Sequence, residues 1–253
     1  MRIAIRVDGS HRIGMGHVFR MINLASFLRE TVSEEIAFCS RSDDQVARWL
    51  RDCGFVVEIF DQDGEILTPL TAWLDNYGAD LLINDVLDTE VDYMTEVAGQ
   101  GRRMVNFDDQ GPGGALAECQ INALPTKMLP PPVREGVFQG PEYLLLGEEF
   151  APPVRNRPND DSPKSILVTL GGSDTYGNTL VVVAALQQLP ECPRVDIVVG
   201  PAFQHGEELS RLVAGNEGFV VHRAVPRMAE FMHKSGMAII GGGITLFEAA
   251  ACA

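Results

Sequence analysis

Short β-rich runs alternate along this chain with longer stretches of helical period, and that alternation confines it to parallel sheet wrapped by helices. The series opens with the strand RIAIRV and the helix GHVFRMINLASFLRE, in which Val18, Ile22, Ala25 and Leu28 share one face. It continues with EIAFCS, a helix through DDQVARWLRDCG, FVVEIF, a helix around LTPLTAWLDNYG, ADLLIND, a helix around DTEVDYMTEVAGQG, and RRMVNF. The runs AECQINAL and YLLLG predict two further short strands.

Periodicity breaks at GEEFAPPVRNRPNDDSPK, where prolines, asparagines and charges crowd together, and this marks residues 147–164 as a linker. The pattern then restarts with SILVTLGG, a helix from Asn178 to Leu189, RVDIVVG, a helix around GEELSRLVAG, GFVVHR, a helix at PRMAEFMHKSG, the strand MAIIGGG and a last helix ITLFEAAACA. The expected organisation is a first α/β lobe over residues 1–146, a linker, and a second lobe over 165–253. A length of 253 residues with 45% apolar side chains supplies cores for both. The second lobe is short and its last helical pattern carries no stop signal, so the sequence reads as a truncated form of a longer protein.

Acidic residues outnumber basic ones 35 to 20, and the net charge of -15 repels phosphate polymers and anionic membranes at long range. Nucleic acid is therefore not an expected partner, and a phosphate-bearing ligand has to be held locally. The cysteines at 39, 53, 119, 192 and 252 form no metal-ligand spacing, and neither do the paired acids at 43/44, 108/109 and 160/161 or the histidines at 205, 222 and 233. No metal or other cofactor is expected. Arg2, Arg6 and Asp8 interrupt the first apolar run, which argues against a signal peptide, and no run has the length of a membrane span. A soluble cytoplasmic protein, without stable membrane insertion, is the default expectation.

Open parallel sheets bind ligands beyond the carboxyl ends of their strands, so the polar residues there are the candidate site. In the first lobe they are Asp8, Ser10, the turn from Gly14 through Gly16 to His17, then Asn84 and Asp85, then Asp108 and Asp109. In HRIGMGHVFR the glycines predict a tight turn into a helix, with His17 and Arg20 one helical turn apart. An imidazole is suited to general-base work near neutrality. The competing structural roles are close strand–helix packing for the glycines, a helix-start surface position for His17, and turn or cap formation for the aspartates.

In the second lobe the candidates are Gly171, Gly172, Ser173 and Asp174, then Gly200, then Gly241, Gly242 and Gly243 with Thr245 and Glu248. Three glycines between an apolar strand and a helix allow close backbone approach to a diphosphate and aim helix N–H groups at it. Glu248, one turn into that helix, is placed to accept both hydroxyls of a ribose; a solvent-facing helix position is the alternative.

Taken in order, RVDGSHRIGMGHVFR, INDVLDT, VNFDD, LVTLGGSD and GGGITLFEAA resemble the spore-coat polysaccharide biosynthesis family of glycosyltransferase-like proteins, which includes a UDP-sugar hydrolase of pseudaminic acid biosynthesis. More distantly the chain is similar to MurG-type GT-B enzymes. The resemblance implies a GT-B fold of two facing Rossmann-like lobes, with UDP held mainly by the second. It implies that Gly14, Gly16 and His17 form the family's G-x-G-H turn with the histidine as base. It also implies that Arg20 and Asp8 belong to the same motif, that Gly171 to Asp174 form the second glycine loop, and that Thr245 and Glu248 hold the nucleotide. The family's hydrolase carries a D-x-Y pattern where this chain reads Asn84, Asp85, Val86, which leaves the sugar open.

The expected function is hydrolysis of a nucleotide-sugar by water that His17 deprotonates, with Asp8 or Asp85 orienting the imidazole or the sugar. A glycosyltransferase with the same nucleotide site, or a nucleotide-sugar binding protein without turnover, are the alternatives.

Overall fold

A computed structural model describes residues 1–10, 14–41, 44–99, 101–124, 134–151 and 165–253. It divides into two compact units, one of Met1–Gly9 and His17–Leu145, the other of Ser10–Gly16 and Leu146–Ala253.

The first unit is built on strands β1 (Ile3–Val7), β2 (Ile36–Ser40), β3 (Val56–Ile59), β4 (Leu81–Asp85), β5 (Arg103–Phe107), β6 (Cys119–Asn122) and β7 (Val137–Gln139). They lie in the order β3-β2-β1-β4-β5-β6-β7, every pairing parallel. Helices α1 (Gly16–Thr31), α2 (Asp44–Asp52), α3 (Leu67–Tyr77) and α4 (Val91–Ala98) alternate with the strands. Every residue of β1 and β2 is buried, as expected of parallel strands covered on both faces. On one face Ala4, Cys39, Leu82 and Met104 pack against Leu70 and Leu74 of α3 and Met94 and Val97 of α4. Helix α3 stops where Gly78 turns left-handed at φ 69° and returns its N–H to the carbonyls of Asp75 and Leu74.

The seventh strand is not the one expected from sequence. YLLLG forms no strand; its Tyr143 closes a 3-10 turn over Pro141–Tyr143, while β7 arises from Val137–Gln139 and pairs with β6. The leucines serve packing instead of pairing, since Leu146 lies against the second unit's core. The expected linker begins likewise in packed structure: Glu148–Phe150 is a 3-10 turn and Phe150 is buried in that core. Residues 152–164 of it lie outside the described residues, as do Asp43, Asp160 and Asp161.

The second unit has four parallel strands, β8 (Ser165–Thr169), β9 (Val195–Val199), β10 (Phe219–Arg223) and β11 (Ser235–Ile240), in the order β10-β9-β8-β11. Helices α5 (Asn178–Leu186), α6 (Gly206–Val213), α7 (Met228–Lys234) and α8 (Ile244–Ala251) follow them in turn. One face buries Ile166, Val168, Ile197 and Val199 against Val183 of α5 and Leu209 of α6. The other buries Leu167 and Val198 against Ala229 and Met232 of α7. No helix among the described residues is long and apolar enough to cross a membrane.

Both sheets share one feature that positions a site. The first strand of each unit has its sequence successor on one side and the fourth strand on the other, β1 between β2 and β4, and β8 between β9 and β11. At such a reversal the connections leave on opposite faces and open a crevice beyond the strand ends.

Candidate functional site

In the seven-stranded sheet the reversal lies between β1 and β4. Ser10 and Gly14 close the loop after β1 with two backbone hydrogen bonds, and Gly14 has φ 88°, which favours glycine. Helix α1 begins two residues later and presents His17 in its first turn. Asp85 ends β4 in register with Val7 of β1, and its carboxylate meets α1. His17 Nδ1 lies 2.6 Å from Asp85 Oδ1. Arg20, one turn along, donates Nε to Asp85 Oδ2 and Nη2 to Asp85 Oδ1, each at 2.5 Å, and Nη1 to Asp108. Asp108 also accepts the Leu124 N–H at 2.9 Å.

The electrostatics assign each member a role. Burial favours the neutral form of Asp85, yet the hydrogen bonds from Arg20 and then His17 outweigh it and hold the carboxyl below its ordinary value. Burial acts against the Arg20 charge in the same way, and Asp85 and Asp108 together raise its pKa above the ordinary arginine value. With Asp85 ionised, the proton of a neutral His17 sits on Nδ1 and Nε2 carries the lone pair. The His17 side chain keeps 19% of its exposure while that of Asp85 keeps none, so the imidazole is the solvent-facing end of this hydrogen-bonded pair.

Several expected site residues play other parts. Arg20 is only 2% exposed and bound on both sides by carboxylates, so it positions Asp85 and is not a ligand contact. Asp8 accepts Arg6 Nη2 at 2.6 Å and the Arg41 N–H at 2.7 Å. Of the two aspartates, it is Asp85 whose carboxylate lies against the His17 imidazole. Asn84 points to the opposite sheet face from Asp85, as successive strand residues must. It is buried there, accepting from Tyr93 Oη at 2.9 Å and donating to Asn106 Oδ1 at 3.0 Å. Asp109 takes up Thr89, Asn106 and the Gly111 N–H, holding the two loops together. Arg6 and Tyr93 were not singled out as site residues from sequence, although a charged residue inside a wholly apolar buried strand was a signal for the first.

In the second unit a cavity of about 570 Å³ lies beside the ends of β8 and β11, lined among others by Ser173, Asp174, Tyr176, Gly241 and Gly242. Gly171, at φ 98°, and Gly242 and Gly243 have open space where a side chain would stand, so the backbone at both loops is bare. Gly200 is a packing residue: a Cβ there would fall 2.4 Å from Gly172 Cα. Asp174 proves to be a helix cap, accepting the Asn178 N–H at 3.0 Å and the Thr179 N–H at 2.7 Å at the start of α5. Ser173 Oγ sits 3.3 Å from Thr175 Oγ1.

Glu248 is half-buried on α8. Burial first, then the neighbouring Glu149 charge, push its carboxyl up to about 7, against a hydrogen bond from Thr245. Glu149 is itself fixed by the Met228 and Ala229 N–H groups at 3.3 Å. Between the ordinary value of 4.5 and about 7 the folded chain therefore holds a proton that the unfolded chain has lost, and stability falls as pH rises through that window. Glu248→Gln is expected to remove that fall. Urea unfolding at pH 5 and pH 8 should show wild type losing on the order of 1–2 kcal/mol more than the variant; equal losses would mean that Glu248 titrates normally.

No protein-family model matches the chain. Among curated proteins it is 30% identical, over 98% of its length, to an uncharacterized protein of Methanocaldococcus jannaschii, of which it covers 53%. It is 26% identical over 98% of its length to the spore coat polysaccharide biosynthesis protein SpsG of Bacillus subtilis, of which it covers 74%. The chain thus spans about half the length of the first of these relatives. Among solved structures it is similar to MurG of Acinetobacter baumannii, with a TM-score of 0.63 and 18% identity over all of this chain and 76% of that one. It is also similar to the spinosyn rhamnosyltransferase SpnG complexed with thymidine diphosphate, with a TM-score of 0.64 and 13% identity over 98% of this chain and 78% of that one. The fold is the α/β, parallel-sheet fold of the GT-B glycosyltransferases.

Proposed function

We propose that the chain acts on a nucleotide-sugar in surface polysaccharide or nonulosonic acid biosynthesis, and that it cleaves the anomeric C–O bond with water. The observation that carries this is the 2.6 Å contact of His17 Nδ1 with an ionised, buried Asp85. It leaves Nε2 as the basic nitrogen at the more exposed end of the pair. In this mechanism Nε2 takes a proton from water as the oxygen bonds to the anomeric carbon. The bond from that carbon to the diphosphate oxygen breaks, and its electron pair leaves with the nucleoside diphosphate. Asp85 holds the imidazole in the productive tautomer and stabilises the imidazolium that forms.

The second unit would hold the leaving group. Bare backbone at Gly242 and Gly243 precedes α8, whose first N–H groups offer a diphosphate both hydrogen bonds and the positive end of a helix dipole. Ribose hydroxyls donating to Glu248 would favour its ionised form. The similarity to SpsG and to a transferase structure holding thymidine diphosphate supports this class of ligand. Those same structural relatives favour the alternative, a glycosyltransferase in which an acceptor hydroxyl replaces water. A binding protein without turnover is the remaining possibility. The hydrolase of pseudaminic acid biosynthesis is the specific form we favour, with the sugar left open by Val86.

The test is incubation of the purified chain with UDP- and TDP-activated amino and deoxy sugars, following nucleotide release without any acceptor. Release from one sugar class at a rate far above background is expected. Binding without release would sink hydrolysis and direct the search to acceptors.

A further inference from the structure

Arg6 is a charge inside a strand that is otherwise apolar and covered on both faces. Its register neighbours are Cys39 on β2 and Asn84 on β4, and the row continues through Asn106 on β5 and Gln120 on β6. Register partners in a parallel sheet point the same way, so these residues form one polar row across the α3/α4 face near the carboxyl ends of the strands. Most of the row is internally satisfied. Tyr93 donates to Asn84, Asn84 to Asn106, Asn106 to the Asp109 carboxylate at 2.6 Å, and Gln120 to the Asp109 carbonyl at 3.1 Å.

Arg6 breaks the pattern. It is 5% exposed, and Nη2 is paired with Asp8, but Nε and Nη1 are both shut off from solvent and meet no acceptor among the described residues. Buried charged donors without acceptors are costly, so oxygen atoms of something else belong there. The position suggests what they belong to. Arg6 and Asn84 flank the β1/β4 reversal, and the residue after Asn84 is Asp85, the partner of His17. Arg6 and Asn84 stand on the α3/α4 face and Asp85 with His17 on the other, and the two faces meet only beyond the carboxyl ends of β1 and β4, where a ligand would have to reach both. The charge suggests the chemistry: Asp8 already neutralises Arg6, and Asp109 adds a second carboxylate whose donors among the described residues are neutral, so a further anion would be repelled.

We propose that Arg6 is a specificity-determining residue that donates from Nε and Nη1 to neutral acceptor oxygens, carbonyl or hydroxyl, on the sugar that stands over His17. This rests on the nucleotide-sugar function proposed above. The test is equilibrium binding of UDP, of a set of UDP-sugars, and of analogues deoxygenated at single ring positions, by wild type, Arg6→Lys and Arg6→Met. Lysine keeps a charge for Asp8 but offers one nitrogen in place of three. UDP affinity is expected to stay within about twofold, while affinity for the preferred UDP-sugar falls roughly 10- to 100-fold. That fall should vanish for the analogue lacking the oxygen that Arg6 reads. A loss equal across all sugars, or none in a folded variant, would overturn the proposal and leave Arg6 solvating buried water. Should neither variant fold, a wild type indifferent to every deoxygenation overturns it equally. A wild type that binds neither UDP nor any UDP-sugar overturns the parent function and this proposal with it.

Discussion

His17→Ala is expected to reduce acceptor-independent nucleotide release by about 10²–10⁴-fold while leaving UDP affinity within about twofold. The split follows from the division of labour between the units. The imidazole lies against Asp85 at the end of β4, whereas the residues proposed to hold the nucleotide follow β8 and β11 of the other sheet. In the proposed mechanism, losing the imidazole removes the proton acceptor for water and leaves the groups proposed to hold the diphosphate in place. Asp85→Asn should cost a comparable factor, on the order of 10³–10⁴, by a different route. An amide can accept from Nδ1–H or donate to a bare Nδ1, so the tautomer is no longer dictated, and no negative charge faces the imidazolium. Steady-state release kinetics on the most active sugar, with UDP binding measured separately, distinguish these cases. A fall in kcat with unchanged UDP affinity fits a base; a parallel fall in both points to a structural His17; an unaffected rate removes it from the chemistry altogether.

How far this dyad was legible in the sequence depends on distance along the chain. The turn from β1 into α1 is local, and two glycines between an apolar strand and a helical period were enough to place Gly14, Gly16 and His17 correctly. The alternation of periods likewise announced two parallel sheets. Asn84 and Asp85 were both placed at the site, Asp85 as an orienting carboxylate and Asn84 as a binding residue, because which sheet face each takes stays open until the strand end is fixed. The strand runs through both, and the pleat then sends one to His17 and the other to Tyr93. Asp174 was only half legible for a related reason: its carboxylate caps α5 while the residue also lines the cavity, and its left-handed backbone at φ 37° does not show in the sequence. Arg20 was the least legible. A helical arginine is ordinarily solvated, and nothing within a few turns marks it as the largest fully buried side chain of the unit. Its partners lie 65 and 88 residues away.

That same non-locality makes Arg20→Met the substitution with the largest expected effect on stability, a loss of about 3–5 kcal/mol at neutral pH. Methionine fills much of the volume, so the loss is electrostatic. Among the described residues Asp85 would keep only His17, and Asp108 only the Leu124 N–H, as partners for side-chain carboxylates taken almost wholly out of water. The pH dependence fixes the sign. In wild type the Asp85 pKa is depressed, so its contribution is complete above the ordinary carboxylate value of 3.8 and is lost as pH falls through the lower folded value. In the variant nothing depresses it to that extent, and protonation relieves the buried charge. The gap between wild type and Arg20→Met should therefore be widest at pH 7 and shrink below about pH 4. Urea unfolding at pH 7 and pH 3 measures both values. Adding Asp85→Asn and Asp108→Asn to Arg20→Met should recover much of the stability, because the uncompensated charges then disappear, yet without restoring nucleotide release. A gap that is small, or equal at the two pH values, would mean that solvent reaches these carboxylates and that Arg20 is not what keeps Asp85 ionised beneath His17.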